Sequence, residues 1–269
     1  MITSPANPKV KRLVRLRSRR HRDGEGSFLI EGYREITRAV AAGLRIDEIY
    51  VCDRLFLGTN EQDLVDRIVS SGARCHRLAP EPFRKAAYRD RPEGLLAVAP
   101  KFDTGLERIK IGPDPLLLVM ESIEKPGNLG TMLRTADAAG VSAVIVADPG
   151  TDPFNPNVVR ASLGCLFTVP LAVATADGAI GWMAEHGVRA LVTTPSTRDL
   201  YWSADYSGAV AIVVGSEQYG LSEVWLDRRF PKARIPMGGS ADSLNAATAT
   251  ALVLFEALRQ RRRTSADRS

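Results

Sequence analysis

Three cysteines, Cys52, Cys75 and Cys165, are odd in number, far apart and without a CxxC pair, which argues against a disulfide framework and against a zinc site. They read as buried, inert thiols. The three histidines, His21, His76 and His186, stand alone in unrelated surroundings, so a catalytic triad has no obvious base. No stretch approaches the roughly 20 apolar residues that span a bilayer, and the basic start is not followed by an apolar signal core. A cytoplasmic protein with no membrane role is expected. Also missing are GxxxxGK[ST], GxGxxG, HExxH and GxSxG, which weakens nucleotide triphosphatase, ordinary dehydrogenase, zincin and α/β-hydrolase readings.

What is present is a globular composition, 45% hydrophobic, with 22 glycines and 16 prolines spread along the chain rather than gathered in tracts. The net charge of +5 favours a polyanionic partner, and it is concentrated. Lys9, Lys11, Arg12, Arg15, Arg17, Arg19, Arg20 and Arg22 crowd the start, and Arg259, Arg261, Arg262 and Arg263 crowd the end. Two frayed, solvated tails are the alternative to a phosphate-binding face. A membrane surface is a poorer partner, because the first run lacks a broad apolar face with aromatic anchors.

Short apolar runs alternate with amphipathic ones from the first third onward. Strands are predicted at Phe28 to Ile30, Ile46 to Val51, Arg74 to Leu78 and Leu95 to Ala99, with helices at Tyr33 to Ala42, Gln62 to Ser70 and Pro82 to Tyr88. The pattern lapses between Pro100 and Pro115, giving an expected first domain of 1–100, a linker of 101–114 and a second domain of 115–269. In the second domain, strands are predicted at Leu116 to Met120, Ala143 to Ala147, Thr168 to Val173, Arg189 to Thr193, Ala209 to Val214 and Ala233 to Ile235. Helices are predicted at Met132 to Ala139, Ile180 to His186 and Ser243 to Arg262. This alternation implies an α/β protein with a parallel sheet covered on both faces.

Three polar, glycine-containing segments fall where strands should end. Glu124 to Arg134 (EKPGNLGTMLR) opens a helix whose first amides would welcome an anion, with Arg134 near the same mouth; it also reads as a plain turn capped by Asn128 with a solvated Arg134. Gly215 to Leu221 (GSEQYGL) follows a strand directly, and a glycine there lets a ligand approach the backbone. Ile235 to Ala247 (IPMGGSADSLNAA) turns on two glycines and caps the last helix with Asp242 or Ser243.

Together, in this order, the segments resemble the SpoU (TrmH) family of RNA ribose methyltransferases in the SPOUT superfamily. NxGxxxR matches Asn128, Gly130 and Arg134; a strand ending in G-[ST]-E-x-x-G-[LM] matches Gly215 to Leu221; IPM followed by SLN matches Ile235 to Met237 and Ser243 to Asn245. Phe28 to Gly32 (FLIEG) resembles the opening of the L30e-like RNA-binding domain that precedes the catalytic one in rRNA-modifying members.

The resemblance implies an α/β-knot domain with a trefoil-threaded C-terminal segment, S-adenosylmethionine as cofactor and no metal. It places the donor against Thr193, Thr194, Gly215, Ile235, Met237 and Leu244. Arg134 would act with Asn128, Glu217, Ser243 and Asn245 around it. The family assigns Arg134 the base role, but a guanidinium with a pKa above about 12 is a poor base, and a phosphate anchor that fixes the ribose is the other reading. A homodimer is implied, with Arg160 reaching RNA at the partner's donor site. Arg12, Arg15, Arg20 and Arg34 would add sequence-independent phosphate contacts. The expected substrate is a 2′-hydroxyl of 23S rRNA; a tRNA enzyme, an antibiotic-resistance role and a non-catalytic RNA-binding protein are the alternatives.

Overall fold

The computed structural model describes residues 1–227 and 229–266; the side chains of 263–266 lie outside the described part, and with them that of Arg263 in the C-terminal basic run. In chain order the elements are α1 (Pro8–Arg15), α2 (Arg19–Glu25), β1 (Ser27–Glu31), α3 (Tyr33–Ala41), β2 (Glu48–Val51), α4 (Glu61–Ser70), β3 (Arg74–Arg77), α5 (Pro80–Ala86) and β4 (Leu95–Pro100). There follow β5 (Leu116–Glu121), α6 (Pro126–Ala138), β6 (Ala143–Ala147), α7 (Pro156–Ala161), β7 (Leu171–Ala174), α8 (Ala176–Glu185), β8 (Arg189–Thr193), β9 (Val210–Val214), α9 (Glu223–Leu226), β10 (Lys232–Ala233) and α10 (Ala246–Ala266). Among the described residues no helix is long and apolar enough to cross a membrane.

The chain packs as two units, Met1–Phe102 with Asp152–Thr168, and Asp103–Thr151 with Val169–Ser269. This departs from the expected boundaries in two places. Residues 152–168 pack with the first unit, because Phe154 and Phe167 set their rings 5.0 and 6.1 Å from that of Phe28. Much of the expected linker is also structural, since Ile109 is buried in the second core and Leu106 and Ile111 pack against it.

In the first unit a mixed sheet runs β1-β4-β2-β3, with β4 antiparallel to both neighbours and β2 parallel to β3. The basic N-terminal run is no frayed tail. Val10, Leu13 and Leu16 recur at helical spacing and are buried against Tyr50, Phe83 and Val98, while Asn7 caps α1 by accepting from the Lys9 amide at 2.9 Å. Arg17 donates to the carbonyls of Lys85 (2.6 Å) and Ala86 (2.9 Å) at the end of α5. Arg22 is 1% exposed and grips Asp152 Oδ2 through Nε at 2.9 Å and Nη2 at 2.6 Å.

The second unit is built on six strands in the order β10-β8-β9-β5-β6-β7, parallel in every pairing. Central strands β5, β6 and β9 are buried at every position, which explains their unbroken apolar sequence. The helix expected from Met132 begins at Pro126, so Asn128 lies inside its first turn instead of capping it. The last helix begins at Ala246, and its cap is Asn245, whose Oδ1 accepts from the Ala247 amide at 3.0 Å; neither Asp242 nor Ser243 serves, because that stretch stays irregular.

Asp152→Ala should leave the Arg22 guanidinium buried and unpaired, lowering stability by about 3–5 kcal/mol in urea unfolding followed by circular dichroism. An unchanged midpoint would mean that the pair does not hold residues 152–168 to the first unit.

Candidate functional site

A cavity of about 410 Å³ opens beyond the carboxyl ends of β8, β9 and β10 in the second unit. Ligands of open parallel sheets collect at this end, where loops leave the strands. Thr193, Thr194, Gly215, Ile235, Met237 and Leu244 all line it, together with Ser243. Thr193 Oγ1 donates to the Val213 carbonyl at 2.8 Å and ties β8 to β9 at the rim.

The loop after β9 is folded back on itself. Ser216 and Gly220 exchange backbone hydrogen bonds of 3.0 and 3.1 Å, and Gly220 sits at φ +68°. A Cβ on Gly215 would lie 2.3 Å from the Gly220 carbonyl carbon and 2.6 Å from the Leu221 nitrogen, so only glycine fits there. Glu121 secures the loop's exit. It ends β5 at 2% exposure and accepts from the Ser222 amide at 2.7 Å, Ser222 Oγ at 2.6 Å and Trp225 Nε1 at 3.0 Å. The sequence reading missed Glu121, although an acid closing an otherwise apolar strand was the available signal.

Beside the cavity the three motifs meet on one carboxylate. Glu217 Oε1 accepts from Asn128 Nδ2 at 2.7 Å, from Asn245 Nδ2 and from the Ala246 amide at 3.3 Å. Its Oε2 pairs with Lys125 Nζ at 2.5 Å, and Asn245 Nδ2 also reaches Asn128 Oδ1 at 3.2 Å. The Lys125 ammonium, with these added donors, holds the Glu217 carboxyl below the usual carboxylate range. Lys125, unmarked in the sequence reading, is thus part of the junction.

Arg134 stands apart from this junction. It is exposed on α6, six residues past Asn128 and so about 9 Å further along the helix. It lines neither the large cavity nor the smaller one of about 170 Å³ between Lys125, Asn128 and Glu217. Among the described residues no hydrogen bond or ion pair engages it. Of five expected catalytic residues, the fold therefore joins Asn128, Glu217 and Asn245 directly, sets Ser243 in the cavity wall and leaves Arg134 open to solvent.

The expected phosphate-binding arginines divide similarly. Arg15, Arg20 and Arg34 are exposed, and Arg160 is exposed with its guanidinium 6.0 Å from the Tyr88 ring centroid. Arg12 is instead bound to Glu25 at 2.6 Å and to the buried Glu48 at 2.9 Å, which offsets its charge. Near the C-terminus Arg261 donates to the carbonyls of Tyr206 and Asp114, each at 2.9 Å, so it latches α10 to the body of its unit. Cys75 is exposed, against expectation, since it lies on the outward face of the edge strand β3; Cys52 and Cys165 are buried. Among the described residues no group of His, Cys, Asp and Glu could hold a metal ion.

Residues 115–255 match the SpoU rRNA Methylase family, and residues 7–97 match the MRM3-like substrate binding domain. The chain is 42% identical to a solved RNA 2′-O ribose methyltransferase, with 97% of this chain and 98% of that one covered at a TM-score of 0.85. An AdoMet-bound rRNA methyltransferase from Sinorhizobium meliloti aligns at 32% identity over 96% and 97% of the two chains, with a TM-score of 0.87. The 23S rRNA (guanosine(2553)-2'-O)-methyltransferase RlmP of Bacillus subtilis is 28% identical over 94% of this chain and 97% of its own.

Gly215→Ala should force the 215–221 loop open, because its new methyl group collides with backbone rather than with a flexible side chain. Hydrogen exchange should rise across residues 210–226 and stay unchanged across 1–102; unaltered exchange in the loop would refute the close packing at Gly215.

Proposed function

The chain belongs to the SpoU rRNA methylase family, and from that premise we propose that it transfers a methyl group from S-adenosylmethionine to a ribose 2′-hydroxyl of RNA, with 23S rRNA as the substrate. The observation that carries this reading is the convergence of the three motifs on one cavity, with Glu217 joining Asn128 to Asn245 beside it. The similarity over most of the chain to relatives named as 23S rRNA 2′-O-methyltransferases favours rRNA over tRNA. Cytoplasm is the compartment this substrate implies.

The cavity fits the cofactor on three counts. Its volume falls within the usual range for small-molecule sites, its walls mix apolar side chains with strand-exit backbone, and Gly215 is bare where a side chain would fill the loop. Thr193, Thr194, Gly215, Ile235, Met237 and Leu244 would hold the nucleoside. When bound, the cofactor supplies an electrophilic methyl group on a sulfonium.

The remaining work falls to the chain's own side chains. A 2′-hydroxyl is a poor nucleophile and must be oriented and relieved of its proton late in the reaction. Arg134 serves as the RNA anchor, binding phosphate and fixing the ribose, and its open guanidinium is free for that role. Asn128, Glu217 and Asn245 keep the start of α6, the β9 loop and the start of α10 in register, and Ser243 offers a further polar contact. C-terminal threading belongs to the same proposal. It is supported by β10 lying outside β8 at the sheet edge while α10 packs back on α6.

The active form proposed is a homodimer. Leu252 and Phe255 are 39% and 49% exposed and lie three residues apart on α10, which packs on the helix bearing Arg134. An exposed apolar stripe of this kind is suited to a second copy.

Arg134→Ala should lower methyl transfer to 23S rRNA by roughly a hundredfold, the cost of losing the group that positions the ribose, while calorimetry shows the donor still bound. The wild-type product should resist alkaline cleavage at the modified nucleotide. Methylation of a base, or full activity in the variant, would sink the assignment. For the dimer, Phe255→Glu should yield a monomer in sedimentation velocity, and a dimer that persists would exclude the α10 face as the interface.

A further inference from the structure

The first unit contains a second cavity, of about 470 Å³, that the proposed chemistry does not use. Tyr33, Leu57, Glu61, Arg89 and Leu163 line it, with Arg34 and Glu35 beside them. Two of its polar side chains are incompletely bonded. Glu61 is 5% exposed, and its Oε1 accepts from the amides of Leu57 at 3.1 Å and Gly58 at 2.7 Å, while Oε2 is buried without a partner. Arg89 gives Nη2 to Glu35 Oε1 at 2.6 Å and Nη1 to Glu93, while its buried Nε donates to nothing. A buried carboxylate oxygen and a buried guanidinium N–H left unsatisfied are costly, and groups of this kind point to a missing ligand.

The wall carries a further sign of design. Leu163 sits at φ +52°, in the left-handed region, a conformation unfavourable for a bulky residue, and Arg38 Nη1 donates to its carbonyl at 2.9 Å. Leu57, 79% exposed, offers an apolar surface at the mouth.

Charge decides what can enter. Glu35, Glu61 and Glu93 outnumber Arg34 and Arg89 among the lining groups, so a phosphate would meet net repulsion. A neutral ring presenting N–H donors to a carboxylate and a carbonyl to an N–H would meet none. Guanine has that edge: N1–H and N2–H₂ donate and O6 accepts. Uracil offers a single donor between two carbonyls, and adenine and cytosine set a ring-nitrogen acceptor beside their amino group. Single-stranded RNA presents such edges once a base is unstacked.

We propose that this cavity binds an unstacked guanine of single-stranded RNA, Glu61 Oε2 accepting from N1–H and N2–H₂ and Arg89 Nε donating to O6. Tyr33 and Leu57 cover the ring, and Arg34 meets the adjoining phosphate from the rim. The site rests on the reading of the chain as an RNA-binding enzyme, but it needs no methyl transfer.

The test is fluorescence anisotropy of the full-length protein with labelled RNA pentamers UUGUU, UUAUU, UUCUU, UUUUU and the inosine form UUIUU, in the absence of donor. UUGUU should bind about tenfold tighter than the A, C and U forms, with inosine between them because it lacks the 2-amino group. Glu61→Gln, which keeps the acceptor for Leu57 and Gly58 but turns the free oxygen into a donor, should level the series. Leu57→Ala, at an exposed position that leaves folding intact, should weaken UUGUU alone by a few-fold. Equal binding of all pentamers, a preference for another base, or guanine preference surviving both substitutions would overturn the proposal. Methyl transfer without guanine preference would sink only this site, and guanine preference without methyl transfer only the enzymatic reading.

Discussion

The second unit is organised around the Glu217 carboxylate. Lys125 and Asn128 approach it from the start of α6, and Asn245 and Ala246 from the start of α10, so four donors from two helices converge on one side chain of the β9 loop. Ion pairs at this degree of exposure contribute little net stability, and the importance of the group lies elsewhere. It fixes the relative positions of two helix starts and a loop, Asn128 lying 89 residues before Glu217 in the sequence and Asn245 lying 28 after it. The sign of its pH dependence follows from its depressed pKa. The interaction is in place above the ordinary carboxylate range and weakens as acidification protonates the folded-state carboxyl.

Arginine is used in two ways by this chain, and the contrast gives meaning to Arg134. Arg12, Arg17, Arg22 and Arg261 are each held by carboxylates or carbonyls and serve the fold. Arg22 illustrates the constraint most clearly: at 1% exposure a guanidinium must have its donors satisfied, and two contacts to Asp152 with two carbonyls do this. Arg134 has no such engagement among the described residues, and it lies well along α6, outside both cavities of its unit. A charged side chain left open to solvent is compatible with recruiting an external anion, and a net-charge count of the sequence could not separate these two populations.

Legibility followed the physics of each feature. Period-two and period-3.6 apolar patterns are local, and β6 and β8 were bounded from sequence to the residue; the six residues that the family resemblance implied for the donor, which no periodicity could mark, are all among those lining the large cavity. The start of α6 was misplaced because Pro126, Gly127 and Asn128 have turn-like propensities that tertiary bonding to Glu217 overrides. Helix α1 was concealed by its charge: its two buried apolar residues, Val10 and Leu13, stand among four basic ones and show no broad apolar face until a core exists to receive them. Glu121 and Lys125 went unmarked because their roles depend on partners about a hundred positions away, a distance over which no spacing rule operates.

The discontinuous first unit follows from the same non-local logic. Its chain leaves at Phe102, returns at Asp152 and leaves again after Thr168, so a cut at the polar stretch near residue 101 would strip it of α7 and of the Asp152 carboxylate that Arg22 requires. The contact between Arg22 and Asp152 closes a loop of 130 residues. Loop-closure cost grows only logarithmically with length, and much of the intervening chain is itself ordered by the β5–β6 pairing of the second unit. Folding of β5, α6 and β6 shortens the effective loop that Phe154 and Asp152 must close against β1 and α2. Pairing of β5 with β6 therefore lowers the entropy cost of the Arg22–Asp152 contact, although the strands that pair and the residues that close the loop belong to different units.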